Sequence, residues 1–337
     1  MHRQIAGKLT GKVTKWIVLV AWLVIVGASS GFAAKLVDVQ NNEIGSWLPG
    51  NAESTQALEK LGPFQEPNAL PTIVAYERTS GLTDDDLAAV QADVSEFAGL
   101  KGVVGDVVGP VSSEDGQAAQ VLVTFDFGPN GWNEMPAPAD KLDEIAAIDG
   151  VDTYVTGAGG SAADSAEAFE GIDGTLLFAT LGVVILILLM TYRSPVLWIL
   201  PIFTAVVALF TTQAVVYFLV KYADLTVNGQ SQGILTVLVI GAGTDYALLL
   251  VARYREELRR HDDRHKAMAS ALHRAFPAIV ASAGTVVVGM LCLLFADMNS
   301  TAGLGPVNAI GVAVTFVAMV TLLPALLVIF GRWIFWP

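Results

Sequence analysis

The sequence predicts a polytopic α-helical membrane protein: six transmembrane helices, with an extracytoplasmic α+β domain of ferredoxin-like βαββαβ order between helices 1 and 2. Three observations lead there. Six stretches are apolar over the length of helix, about 20 residues, that crosses a bilayer core of about 30 Å. Only 15% of the 337 residues are charged and 53% are hydrophobic, whereas an average soluble chain is about 25% charged. The acids are also concentrated: residues 36–174 hold 25 Asp and Glu against only Lys60, Arg78, Lys101 and Lys141, a net of −21.

The first span is Trp16–Ala34, within a cytoplasmic N-terminus and first helix at 1–35. Its basic start and the small residues Ala28-Ser29-Ser30 or Phe32-Ala33-Ala34 also fit a cleaved signal peptide, but 19 apolar residues are long for one. Either way the acidic domain lies outside the cytoplasm. Ile172–Thr191 and Val196–Val220 follow, parted by Tyr192-Arg193-Ser194-Pro195, which reads as a tight turn between antiparallel helices. Gly233–Ala252, Pro277–Ala296 and Val307–Phe330 complete the unit 172–337. The short segments between spans set the orientation. Residues 1–15 carry Arg3, Lys8, Lys12 and Lys15 and no acid, and 253–276 carry seven Lys and Arg against four acids. Arg193 and Arg332 lie on the same predicted side, so the positive-inside rule puts these segments in the cytoplasm and 36–171 outside the cell membrane. The segment 253–276 reads as a basic anchor on the inner leaflet, with a regulatory or partner-binding role as the alternative.

The external domain alternates legibly. After a helix at Glu53–Leu61, Pro71–Glu77 reads as a strand. Thr83 with three aspartates then starts a helix running through Ala98. Gly102–Val111 and Ala118–Phe127 are strands joined by a turn, Asp140–Ile148 is a helix, and Val151–Thr156 is the fourth strand. A Gly/Ala/Ser stretch, Gly157–Ala163, leads towards the second span. The acids are spread over turns and helix faces, as a solvated surface would have them; a cation site is the competing reading. Trp47, Phe64 and Trp132 are either core or the lining of a hydrophobic path.

Several functions are excluded. A net charge of −13 repels a phosphate backbone, so nucleic acid is not a partner. The single cysteine, Cys292, allows no internal disulfide and no cysteine zinc site, and it reads as a packing residue. The four histidines (His2, His261, His265 and His273) fall in basic segments. No nucleophile is paired with a base, so an enzyme is not expected, and neither a metal nor another cofactor is implied.

Chemistry concentrates at Asp245, inside the fourth span in Gly241-Ala242-Gly243-Thr244-Asp245-Tyr246. A carboxylate at mid-helix costs about 2.5–3.5 kcal/mol on insertion scales and ordinarily faces a bundle interior with a partner or a task. Desolvation raises a carboxyl pKa, which suits it to proton exchange, and the hydroxyl of Tyr246 can donate or accept beside it. Gly241 and Gly243 would let another helix or water approach. On the fifth span Ser282, Thr285 and Gly289 form a small and polar stripe for close helix packing near this pair. The alternative reading of Asp245 is a buried hydrogen-bonding peg that does not titrate.

The run from Gly241 through Leu258, together with Gly45-Ser46-Trp47-Leu48-Pro49 and the following helix, resembles the N-terminal half of an MMPL-type transporter of the resistance–nodulation–division superfamily. The resemblance covers essentially the whole chain. It implies export of lipids or other hydrophobic molecules driven by the proton-motive force, with protons as the only coupling agent. It also implies that Asp245 and Tyr246 form half of a proton relay, with Ser282 at the position whose serine hydrogen-bonds that pair in relatives. Such proteins ordinarily contain two halves related by a pseudo-twofold axis, and no second copy of the pair occurs here. The expected partners are therefore membrane lipids or a hydrophobic substrate and a second six-helix half, covalent or separate. Two other classes compete: a non-transporting scaffold or sensor binding a partner or sterol-like ligand through the external domain, and a protein-translocation accessory.

Overall fold

The computed structural model describes residues 7, 10–42, 47–61, 66, 68–128 and 131–335. His2, Arg3, Lys8, Gly45, Ser46 and Phe64 lie outside the described residues. Two compact units are present: residues 1–40 with 172–337, and residues 41–171.

Among the described residues the first long helix is α1 (Thr14–Ala33), which tightens into a 3₁₀ turn at Ala34–Val39. In the second unit α2 (Glu53–Leu61), β1 (Ala69–Glu77), α3 (Asp84–Phe97), β2 (Val108–Ser112) and β3 (Ala118–Asp126) follow. A single turn α4 (Gly131–Glu134), then α5 (Pro136–Ala146) and β4 (Asp152–Thr156) complete it. The four strands make one antiparallel sheet in the order β2-β3-β1-β4. Period-two alternation decides its faces. Along β1, Leu70, Thr72, Val74 and Tyr76 are buried, and along β3 Val121, Val123 and Phe125 are. Val90 and Phe97 of α3 and Leu142 of α5 close the same core. Trp132 is half-buried against that core, and Trp47 is half-buried.

β2 is shorter than its sequence reads. Val103 makes only an isolated bridge to Phe125, and the paired strand starts at Val108. Gly102, Gly105 and Gly109 all take positive φ, and a side chain on Gly102 would strike the Phe127 ring at 2.3 Å. Pro110 has no N–H to offer the ladder.

The helix α3 is started by a capping box. The Thr83 side chain accepts from the Asp86 amide at 3.2 Å, and Asp86 Oδ2 accepts from the Thr83 amide at 2.8 Å. Arg78, at the end of β1, donates from Nε and Nη2 to the two Asp86 oxygens at 2.9 Å each, and from Nη2 to the Asp149 carbonyl at 2.9 Å. This forked pair joins strand, helix and the β4 entry, and it holds the Asp86 carboxyl down at about 2. A depressed carboxyl stabilises the fold above its ordinary value near 3.8, and that contribution is lost as pH falls towards 2. Asp93 has the opposite sign. Burial raises its pKa although Tyr76 Oη donates to it at 2.9 Å, so its ionisation weakens the fold as pH rises. We expect Asp86→Asn to unfold α3 at a lower temperature at pH 7 and to lose part of the wild-type stability change between pH 4 and about pH 2. Hydrogen exchange of residues 84–97 in the full chain measures both; an unchanged acid profile would refute the assignment.

From Gly157 the chain enters α6 (Gly157–Tyr192), followed by α7 (Ile199–Ala223), α8 (Gly229–Leu258), α9 (Arg264–Leu291) and α10 (Asn299–Phe330). Among the described residues six helices are long and apolar enough to cross a membrane: α1, the Gly174–Tyr192 part of α6, and α7 to α10. In the bundle the most apolar stretches of α7, α8 and α10 are more than half buried, whereas few residues in those of α1, α6 and α9 are. Leu235, Ile240, Leu250, Val312 and Leu323 form part of its core. Polar groups tie the helices where hydrocarbon alone would let them slide. Trp22 Nε1 donates to Thr321 Oγ1 at 3.0 Å, and Gln40 Nε2 to Gln232 Oε1 at 2.9 Å.

The turn at Tyr192–Pro195 is present: Arg193 takes the left-handed conformation after α6, and Ser194 Oγ donates to the Ile334 carbonyl at 2.7 Å. The fifth helix starts earlier than hydropathy shows. Asp263 caps it by accepting from the His265 amide at 2.9 Å, and it runs unbroken through Pro277. Its first turns qualify by packing, since Ala267, Met268, Ala271, Leu272 and Ala275 are all buried against the bundle.

Candidate functional site

Asp245 and Tyr246 lie well inside α8, whose first turn is capped by Asn228 Oδ1 accepting from the Ser231 amide at 2.8 Å. Adjacent residues on a helix point about 100° apart, and the bundle separates this pair. Tyr246 is 2% exposed, while Asp245 is on the uncovered side of the bundle. Gly243, half a turn earlier, faces the opposite way into the core. A side chain there would meet Met319 Cε at 2.8 Å, Thr315 Cγ2 at 3.2 Å and Ala205 Cβ at 3.4 Å. The glycine thus seats α8 against α7 and α10 and so places the two residues that follow.

α9 packs beside α8 and brings Ser282 to Tyr246. The buried Tyr246 hydroxyl has no hydrogen bond of good geometry among the described residues; Ser282 and Asp245 are the polar groups acting on it. Ser282 and Thr285 are exposed. Thr285 Oγ1 donates to the Ala281 carbonyl at 2.8 Å, so it is satisfied within its own helix. Around Gly241 and Gly289 nothing stands within 4 Å of where a side chain would begin. The uncovered flank of α8 and α9 thus presents a carboxylate, two hydroxyls and two bare glycine positions. A buried hydroxyl with two polar neighbours and no fixed partner can change hydrogen-bond partner, which proton exchange requires.

A second polar group was not singled out from sequence. Glu257 is 1% exposed, with Arg274 Nη1 at 3.5 Å from Oε1 and His261 Nδ1 at 3.3 Å from Oε2. Its signal was present: Tyr246, Leu250, Tyr254 and Glu257 follow helical spacing along the buried stripe of α8. The surrounding arginines hid it in a segment read by net charge. Cys292 is exposed in a 3₁₀ turn after α9.

A bundle of six apolar helices, with an ionisable carboxyl–phenol pair midway along one of them and a small antiparallel α+β unit, defines a multi-pass membrane protein. The sequence profile of the MMPL family matches residues 46–337, and the chain belongs to that family. It is 55% identical over 330 residues to the putative membrane protein ActII-3 of Streptomyces coelicolor, covering 97% of this chain and 46% of the relative. It is 31% identical over 355 residues to the apo-petrobactin exporter of Bacillus anthracis, covering 98% and 47%. To the sulfolipid-1 exporter MmpL8 of Mycobacterium tuberculosis it is 28% identical over 333 residues, covering 94% and 30%. The chain thus spans about half the length of the first two relatives and less than a third of the last.

Proposed function

We propose that the chain is one half of a proton-motive-force-driven exporter of lipids or other hydrophobic molecules, with Asp245, Tyr246 and Ser282 as its intramembrane proton relay. The observation that carries this is Asp245, an uncovered carboxylate midway along an apolar span beside a buried tyrosine without a fixed partner. Left against lipid it would be costly, so the reading includes a second six-helix half, covalent or separate, laid over the α8–α9 flank. Protonation of Asp245 would neutralise that buried interface, and Tyr246 would pass the proton between it and Ser282. Residues 36–171 act as an extracytoplasmic ferredoxin-like porter domain, on the orientation favoured by the basic short segments. Two relatives are named as exporters, one of apo-petrobactin and one of sulfolipid-1, which supports transport as the shared activity.

The energy available shapes the mechanism. A charge crossing about 150 mV gains roughly 3.5 kcal/mol, and one pH unit adds about 1.4. Moving a fourteen-carbon chain into water costs about 11 kcal/mol at about 0.8 per CH₂. Two protons supply about 10 kcal/mol and fall short of that, so a lipid cargo must travel in an apolar conduit.

The test compares lipids and small hydrophobic metabolites in the envelope and medium of cells with and without the gene product. One compound class retained inside the deletion strain, and released on complementation, identifies the substrate. Unchanged profiles under conditions where the protein is abundant in the membrane would reject the export reading.

A further inference from the structure

A cleft of about 990 Å³ opens between the end of α6, the start of α7 and the last three turns of α8. Its lining has two halves. Met190, Leu197, Leu248, Leu249 and Val251 are apolar; Arg193, Arg253, Arg255 and Arg259 are cationic. α6 and α8 are both even-numbered spans and run the same way through the bilayer. Along each, the apolar residues come first and the arginines follow at the helix end, so grease lies deeper and charge lies at the membrane surface.

Three of the four lining arginines keep their charge free of acids. Glu256 is the one acid among the lining residues, and Arg253 at 2.9 Å and Arg260 at 2.8 Å already pair with it. Arg193, Arg255 and Arg259 form no ion pair among the described residues. The carbonyls ending α8 would repel an anion, but Arg332 Nη2 takes the Leu258 and His261 oxygens at 3.0 and 2.9 Å. The cleft is also uncovered on its α6 side, where Met190 is 72% exposed.

We infer that this cleft is a binding site for an anionic phospholipid, its phosphate held by Arg193, Arg255 and Arg259 and its upper acyl segments lying on Leu248 and Met190. The chemistry selects this occupant. A soluble anion would leave the apolar half unfilled, and a neutral lipid would leave three guanidinium groups unanswered. Basic pockets between helix ends bind anionic headgroups in this manner. Arg255 and Arg259 lie about three and four turns of α8 beyond Asp245, and the site does not depend on the transport reading.

The full-length protein in neutral detergent is titrated with phosphatidylglycerol or phosphatidylcholine, and bound lipid is counted by native mass spectrometry. Wild type is expected to prefer phosphatidylglycerol. Each guanidinium at an anionic lipid surface is worth about fivefold in affinity, so Arg193→Gln with Arg255→Gln should lower that preference by about tenfold or more. The control pair Lys12→Gln with Lys266→Gln changes the net charge equally outside the cleft and should keep the preference. Excess inorganic phosphate should not displace the lipid. The proposal fails if the cleft pair keeps the wild-type preference, if the control loses it equally, or if phosphate alone competes, which would make the ligand a free anion. Should the cleft pair not fold, Arg255→Gln alone is expected to lose about fivefold, and no loss there overturns the site.

Discussion

Asp245→Asn is expected to reduce export to the level of the deletion strain while leaving membrane abundance unchanged or raised. Asparagine keeps the size and most of the hydrogen bonding of aspartate but cannot titrate. It also removes a carboxylate whose insertion costs about 2.5–3.5 kcal/mol, so the substitution has no folding penalty to hide behind. Tyr246→Phe removes the hydroxyl that lies among Asp245 and Ser282 and should be nearly as severe. Ser282→Ala leaves Asp245 and Tyr246 in place and should be partial. The measurement is retention of the exported compound class at matched membrane abundance. Full complementation by Asp245→Asn would remove the proton relay from the mechanism and return the scaffold or sensor reading to first place.

Gly243→Val is expected to have the largest effect on stability near the site. The first added carbon would already stand 2.8 Å from Met319 Cε and 3.2 Å from Thr315 Cγ2. Met319 is flexible at its tip and can yield to alanine. Thr315 cannot turn freely, because its Oγ1 donates to the Gly311 carbonyl at 2.7 Å. Valine adds two more carbons to a packed seam, an overpacking penalty of about 1–3 kcal/mol, and it pushes α8 away from α7 and α10. The fraction of monodisperse protein after heating detergent extracts should fall several degrees earlier for valine and only slightly earlier for alanine. Gly241→Val is the matched control, because nothing stands within 4 Å there. It should leave this bundle's midpoint in place and, with a second half seated on that flank, still lower export. Equal midpoints for Gly243→Val and wild type would show that α8 is not held by this seam.

Much of the molecule is legible from local pattern. Span lengths follow from runs of apolar residues, because a helix must satisfy its own backbone in hydrocarbon. The β-α-β-β-α-β succession follows from alternation and from signals such as Thr83 followed by three aspartates, which act within one helical turn. The boundaries that moved did so for tertiary reasons. β2 depends on which residues of β3 accept its hydrogen bonds, and hydropathy allots to Gly102–Val107 a pairing that the positive-φ Gly102 and Gly105 prevent. The start of α9 at Arg264 depends on alanines that are buried only once α8 and α10 are beside them.

The sequence by itself determined that this is a multi-pass membrane protein, where its acidic unit lies along the chain, and that Asp245 is the residue to ask about, because composition and periodicity are properties of one segment at a time. Only the tertiary structure decided direction. Gly243 faces the core, Tyr246 is buried and Asp245 is uncovered, although all three fall within one turn of α8, because neighbouring helices cover that turn on one side alone. The same holds for Glu257, buried among charges, and for Arg193, Arg255 and Arg259, gathered from the turn after α6 and the end of α8 and in no ion pair among the described residues. Their meeting depends on distances between segments far apart in the chain, which packing sets and spacing along the sequence does not record.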